Sequence, residues 1–349
     1  MAKLKGLYIL NPDAAAKIYG QAERADIARR VDIYTADQTR EHVAADPSIL
    51  NDAEVIFSGW GAPVLSEDFL RHAPNLRVFF YGAGGTGYIL TPAVWERGIQ
   101  ITSAIAANAV PVAEFTLASI LSGLKQTWRL SRQVRELKGF PESEQLAGAY
   151  GSVVGLISLG TIARRLLMLL SHFDLKVLVC DPFLTADEAD ELSVERVSLN
   201  EIFARADVVS LHTPLLAETQ GMIGSAQFSL MKPGATFINT ARGAVVRESE
   251  LIESAIARPD LQFVLDVLVK EPPDADSLLY TLPNIALTPH TAGSVGGECR
   301  RMGRYMIEEL DRYLAGKPLR WPVTAQNSIN SSHRPVPPAL PAVEIVEKT

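Results

Sequence analysis

The chain has 349 residues, 47% of them hydrophobic, and carries 40 acidic against 33 basic side chains for a net charge of −7. That length exceeds one ordinary core and fits two domains of roughly 100 to 200 residues each, whose junction would form a ligand-binding cleft. The acidic balance excludes the basic footprint of a nucleic-acid binder, and two cysteines, Cys180 and Cys299, far apart and outside any CxxC or HExxH pattern, argue against a disulfide framework or a metal site.

Short apolar runs alternate with longer amphipathic stretches, the pattern of parallel strands joined by crossover helices in an α/β fold. In the first part the strand candidates are Gly6 to Leu10, Val31 to Tyr34, Val55 to Ser58, Leu76 to Tyr81 and Ile99 to Thr102. In the second they are Ser152 to Ile157, Lys176 to Cys180, Val208 to Leu211, Ala235 to Ile238, Gln262 to Leu265 and Ile285 to Leu287, which predicts a six-stranded doubly wound sheet. Between the sets, Val110 to Ser131 has few breakers, and Pro111 suits a helix N-terminus, where its missing N–H costs little. This stretch reads as an interdomain helix. From Glu298 to Leu314, Met302, Tyr305, Met306, Leu310 and Leu314 recur at helical spacing and stop before Gly316 and Pro318. The tail, 324–349, is rich in Pro and Ser and predicts disorder, although Arg334-Pro335-Val336-Pro337-Pro338 resembles a polyproline ligand. The opening residues are too short an apolar stretch for a signal peptide, and no apolar run reaches the roughly 18 residues of a membrane helix. A cytoplasmic protein is expected.

Several polar residues stand where strands should end. The run Val153 to Ile157 leads into Ser158-Leu159-Gly160-Thr161-Ile162-Ala163, a tight turn opening a helix, as in sites that set helix N-terminal amides against a pyrophosphate. The fingerprint GxGxxG falls on Ser158, Gly160 and Ala163, so only its middle glycine is present. Asp181 follows the next strand at about the 20-residue interval where a carboxylate accepts from ribose hydroxyls. No Lys or Arg follows in 182–185 to balance a 2′-phosphate, which favours NAD(H) over NADP(H). Capping a turn before Pro182 is the blander role for Asp181. His212, in His212-Thr213-Pro214, reads as a packed or surface histidine with no catalytic role.

Downstream, Asn239-Thr240-Ala241-Arg242-Gly243, Asp266 to Pro272 and Leu287 to Gly293 each deliver a polar side chain from the end of an apolar run: Arg242, Glu271 and His290. An imidazole that exchanges protons, a buried carboxylate that favours its charged form and a forked cation suit carbonyl reduction on an anionic substrate. Taken singly they could be a strand-end arginine, a solvated loop acid and a loop histidine. Asp266, charged within an apolar run, needs partners if buried. On the other side, Tyr81-Gly82-Ala83-Gly84-Gly85-Thr86 follows a strand and can form a nest of amides for an anion.

In order and context these blocks resemble the D-isomer-specific 2-hydroxyacid dehydrogenases, from about Val55 to Val323. The resemblance implies two Rossmann-like domains: 1–105 with 298–323 for substrate, and 106–297 for NAD(H). It implies that Ser158, Leu159, Gly160, Thr161, Ile162, Asp181, His212, Thr213, Pro214, Thr240, Ala241, Arg242, Asp266, His290, Ala292 and Gly293 line the cofactor, with Asp266 at the carboxamide or in an ion pair. Trp60, Gly82, Ala83, Gly84, Asn108, Arg242 and His290 would line the substrate, with Trp60 either an aromatic wall or a core residue. Arg242, Glu271 and His290 would be catalytic in interconverting a 2-keto acid and a D-2-hydroxy acid. Glu114 would be structural between domains, and a homodimer is expected. Two departures stand out: Ser158, and Thr86-Gly87 where relatives carry Asp-Asn. Formate dehydrogenases place Gln where Glu271 stands, which argues against formate, and the extra C-terminal domain of phosphoglycerate dehydrogenases finds no room after the expected domains. Phosphonate dehydrogenases and NAD-sensing corepressors keep the triad and remain alternatives.

Overall fold

The computed structural model describes residues 3–141 and 146–326; the tail from residue 327 onward, including the polyproline-like segment, lies outside them. The first sheet contains β1 (Leu4–Ile9), β2 (Val31–Ile33), β3 (Val55–Ser58), β4 (Val78–Tyr81), β5 (Gln100–Ser103) and β13 (Pro322–Val323) in the order β13-β5-β4-β3-β1-β2. Its pairs are parallel except β13 on β5. Along β1 successive side chains go to opposite faces, Leu7 and Ile9 into one core and Tyr8 and Leu10 into the other, so the sheet is buried on both sides.

The second sheet contains β6 (Val153–Ile157), β7 (Lys176–Cys180), β8 (Glu195–Arg196), β9 (Val208–Leu211), β10 (Thr236–Asn239), β11 (Gln262–Leu265) and β12 (Ile285–Leu287). The order β12-β11-β10-β9-β6-β7-β8 is all parallel and reverses direction between β6 and β9, the switch point where open α/β sheets bind ligands. It has seven strands rather than the expected six. The extra one, β8, is two residues of Glu and Arg with no apolar pattern to announce it.

The interdomain helix also departs from expectation. It runs Ile105–Leu124, which puts Pro111 inside it rather than at its start. It then stops at Gln126, which takes the left-handed φ of 47°, and a separate helix covers Thr127–Leu137. Ile105–Leu124 is long and apolar enough by composition to cross a membrane, against the sequence expectation. Half of its most apolar window is nevertheless buried, and it packs on the helices Thr161–Leu170 and Cys299–Leu314. The latter sends Met302, Met306 and Leu310 into the first sheet's core, with Gly303 so close to the Ile18 carbonyl that no Cβ would fit. Chain crossings near 103–108 and 288–299 thus join the two sheets beside the carboxyl ends of their strands.

Candidate active site

The candidate residues follow the carboxyl ends of β4 in the first sheet and of β6, β7, β10, β11 and β12 in the second. β10 ends at Asn239, whose side chain accepts from the Ala241 amide at 3.0 Å and donates to the Arg242 carbonyl at 3.2 Å, folding the turn that presents Arg242. The next residue, Gly243, lies against the Leu268 to Val269 backbone, where a Cβ would overlap the Leu268 carbonyl. This close approach holds the loop after β11 beside Arg242. The sequence shows Gly243 only as part of the motif Asn239 to Gly243, since the backbone that demands a glycine there lies at Leu268 and Val269.

β11 leads directly into Asp266, which is 2% exposed. Its carboxylate accepts from Thr288 Oγ1 (2.6 Å) and the amides of Thr291 (2.8 Å) and Ala292 (2.9 Å). No ion pair to Asp266 occurs among the described residues, so the ion-pair expectation gives way to hydrogen bonds that shape the loop after β12. That loop holds His290 at φ 53°, a left-handed conformation uncommon outside glycine, with its amide donating to the carbonyls of Asp266 and Thr288 at 3.0 Å each. In this pose His290 Nδ1 lies 2.7 Å from Glu271 Oε2. Glu271 Oε1 accepts from the Leu268 amide at 2.9 Å.

Burial works to raise the Glu271 carboxyl, but the His290 hydrogen bond, the Leu268 amide and the charges of His290 and Arg242 outweigh it and hold the group below its ordinary range. The carboxylate is not buried as expected: the side chains of Glu271 and His290 are 38% and 51% exposed. The ring is half exposed, and no hydrogen bond to its Nε2 occurs among the described residues.

Across the cleft, β4 runs into Gly82, Ala83 and Gly84. Gly82 has no room for a Cβ between the Tyr19 hydroxyl (2.7 Å) and the Ser58 carbonyl (3.1 Å), and Ala83 is fully buried. The loop tip reaches the other side of the cleft. An ideal Cβ on Gly84 would lie 3.6 Å from Asn108 Nδ2, and one on Gly85 would lie 3.8 Å from Arg242 Nη2. Asn108 Oδ1 also accepts from the Ser294 amide at 2.9 Å, which ties together the two chain crossings beside Gly293. Trp60, just past β3, is 36% exposed and belongs to no core cluster, so its reading as a core residue is withdrawn. Glu114 is exposed and makes no hydrogen bond or ion pair among the described residues.

At the switch point, Ser158 occupies the first fingerprint position at φ 70°, a backbone state that glycine adopts freely. Its amide donates to the Cys180 carbonyl at 2.8 Å, and its hydroxyl pairs with Thr213 Oγ1 at 2.9 Å. The side chain therefore fastens the turn. Asp181 is 7% exposed and accepts from the amides of Leu159 (2.7 Å) and Phe183 (2.8 Å), which leaves further lone pairs on both oxygens. The helix Thr161–Leu170 starts at Gly160 with no side-chain cap among the described residues, which leaves its first amides available to an anion. An uncapped helix N-terminus with a buried carboxylate at the next strand end fits a dinucleotide. His212 is half-buried beside them, with Nε2 3.0 Å from Ser210 Oγ, and burial pushes it down to about 4. Thr213, Thr240, Ala241 and Ala292 are buried in the turns around the same crevice.

A sequence profile of the D-isomer specific 2-hydroxyacid dehydrogenase NAD binding domain matches residues 117–292, half of the chain. The chain belongs to the D-isomer-specific 2-hydroxyacid dehydrogenase family. Its second sheet carries the NAD-binding domain of that family, and NAD(H) is its cofactor. It is 33% identical to the (S)-sulfolactate dehydrogenase of Chromohalobacter salexigens over 80% of this chain and 94% of that one. It is also 31% identical to the D-3-phosphoglycerate dehydrogenase of Methanocaldococcus jannaschii over 82% of this chain and 53% of that one. This dehydrogenase-family chain spans about half the length of the first curated relatives it matches. Among solved structures, the apo D-mandelate dehydrogenase of Rhodotorula graminis shares the fold with a TM-score of 0.76 and 26% identity, over 93% of this chain and 98% of that one.

Proposed function

We propose that this protein reversibly reduces a 2-keto acid to a D-2-hydroxy acid with NADH. The observation that carries the reading is the 2.7 Å pair of His290 and Glu271, facing the cleft beside Arg242 and opposite the glycine loop. Bound NADH supplies the hydride. The amides of Ala83 and Gly84 hold the substrate carboxylate, and Arg242 fixes the carboxylate and carbonyl oxygen in one plane. His290 donates its Nε2 proton to that oxygen as negative charge develops there, while Glu271 stabilises the protonated ring through Nδ1. Because the two sheets are joined by two crossings pinned at Asn108, closure of the cleft brings the loop and His290 together and excludes water. Binding at Trp60, Gly82 and Asn108 on the substrate side and at Ile162, Pro214, Thr240, Ala292 and Gly293 on the cofactor side belongs to the same proposal.

The test is a panel of 2-keto acids, including hydroxypyruvate, assayed by NADH oxidation. Steady turnover of one of them supports the reading. Turnover of none, with NADH bound, would favour a non-enzymatic NAD sensor. NADH should be used at least tenfold more efficiently than NADPH, of order 1.4 kcal/mol, because Asp181 would face a 2′-phosphate. Equal use of both would remove Asp181 from the ribose site. A cytoplasmic homodimer completes the proposal. The helix Thr127–Leu137 has no buried residue, and its last residue, Leu137, and Phe140 just beyond it stand exposed. Sedimentation analysis should give twice the chain mass, and a monomer would reject this.

A further inference from the structure

The loop proposed above for the substrate, 82–87, is fastened at both ends. Tyr81, the last residue of β4, is 1% exposed, so its hydroxyl must find a partner inside the protein. The partner is the hydroxyl of Tyr88, seven residues on, and it is the only hydrogen bond of either side chain among the described residues. Tyr88 is itself 60% exposed. Its ring is not held by burial, and the hydroxyl pair crosses the base of the loop 82–87.

The exit of the loop is strapped as well. Thr86 accepts from the Ile89 amide at 3.0 Å, Ile89 accepts from the Leu65 amide at 2.8 Å, and Leu65 and Leu90 form an isolated bridge. The tip has no such support. A Cβ built on Gly84 would come within 4 Å only of the Asn108 side chain, and one built on Gly85 only of the Arg242 side chain. Backbone freedom at four glycines, Gly82, Gly84, Gly85 and Gly87, has to be removed before the loop amides can aim at one anion, and fixing backbone costs roughly 1 to 2 kcal/mol per residue.

We infer that the Tyr81 and Tyr88 hydroxyl pair is the clamp that presets the substrate loop, with Tyr88 a positioning residue for substrate binding. The inference rests on the proposed function for its kinetic consequence. Its structural content stands apart from that reading. Burial, then the nearby Tyr88 charge and hydrogen bond, keep the Tyr81 hydroxyl protonated far above the ordinary tyrosine range.

The experiment is a double-mutant cycle of Tyr88→Phe, Tyr81→Phe and the pair, read by amide hydrogen exchange and by kinetics. Each single variant removes one hydroxyl and keeps the ring. Exchange at residues 83–87 should quicken by about fivefold in each, as for loss of one hydrogen bond, and no further in the double variant. The KM for the keto acid should rise by a similar factor, with the KM for NADH unchanged. Unchanged exchange, or effects of the two variants that simply add, would overturn the clamp. Quickened exchange with an unmoved keto-acid KM would support the clamp and overturn the assignment of this loop to the substrate. If Tyr81→Phe fails to fold, Tyr88→Phe alone decides through the same two readouts.

Discussion

At the ends of β10 to β12, Arg242, Glu271 and His290 keep donors and acceptors facing open cleft, whereas at the ends of β6 and β7, Ser158 and Asp181 are buried and hydrogen-bonded to their neighbours. Both regions sit at the carboxyl edge of one parallel sheet and are built from polar side chains that follow apolar strands. They differ in where the hydrogen-bonding capacity goes. A group that acts on a substrate must keep a valence unspent until the substrate arrives, while a group that shapes a turn contributes by being satisfied already. Substitutions should therefore separate: rate without stability in the first region, stability and cofactor affinity together in the second.

The largest effect tests the first half of that contrast. His290→Ala should lower kcat by about 10²- to 10⁴-fold, the usual contribution of a positioned proton donor, with NADH affinity within a fewfold and the melting temperature nearly unchanged. A fall in melting temperature that matches the loss of rate would place His290 among the structural residues. Gly243→Ala should break the separation from within, since its Cβ meets the Leu268 carbonyl and the loop bearing Glu271 must move. Overpacking of this kind costs about 1 to 3 kcal/mol. Thermal unfolding should show that loss along with reduced turnover.

These two positions also mark how far sequence reading reaches. His290, Glu271 and Arg242 were legible because each closes an apolar run in a recognised context, and the structure brings all three to one side of the cleft. The need for Gly243 depends on a backbone 25 residues away and is invisible to any local pattern. The same holds for Asp266: its charge inside an apolar run showed that partners were required, but those partners, Thr288, Thr291 and Ala292, lie on a different strand's loop. β8 and β13 were missed because two residues carry no period. The break at Gln126 was missed because neither Gly nor Pro marks it, and tertiary packing rather than propensity selects its left-handed backbone.

A smaller effect probes the exposed pair. Glu271→Gln should move the pH profile of keto-acid reduction toward acid, because an amide no longer stabilises the protonated ring. The native carboxyl lies below its ordinary range, so its own ionisation favours the folded state above the unfolded-state pKa near 4.3 and loses that benefit as pH falls through the lower folded value. With more than a third of the side chain in water, that term is small. A profile that stays put would separate Glu271 from His290 in function despite their contact.

The smallest effect sharpens the second half of the contrast. Ser158 combines a strained backbone at φ 70° with a buried hydroxyl pair to Thr213, two terms of opposite sign and each about 1 kcal/mol. Ser158→Ala keeps the strain and loses the pair, leaving Thr213 short of a partner, so it should destabilise by about 1 to 2 kcal/mol and weaken NADH binding. Ser158→Gly loses the pair but also releases the strain, so the two changes should nearly cancel in denaturant unfolding. The difference between the Ala and Gly variants then measures the strain itself. If both variants fell equally, the left-handed turn would be relaxed with serine in place, and the missing fingerprint glycine would have cost this turn nothing.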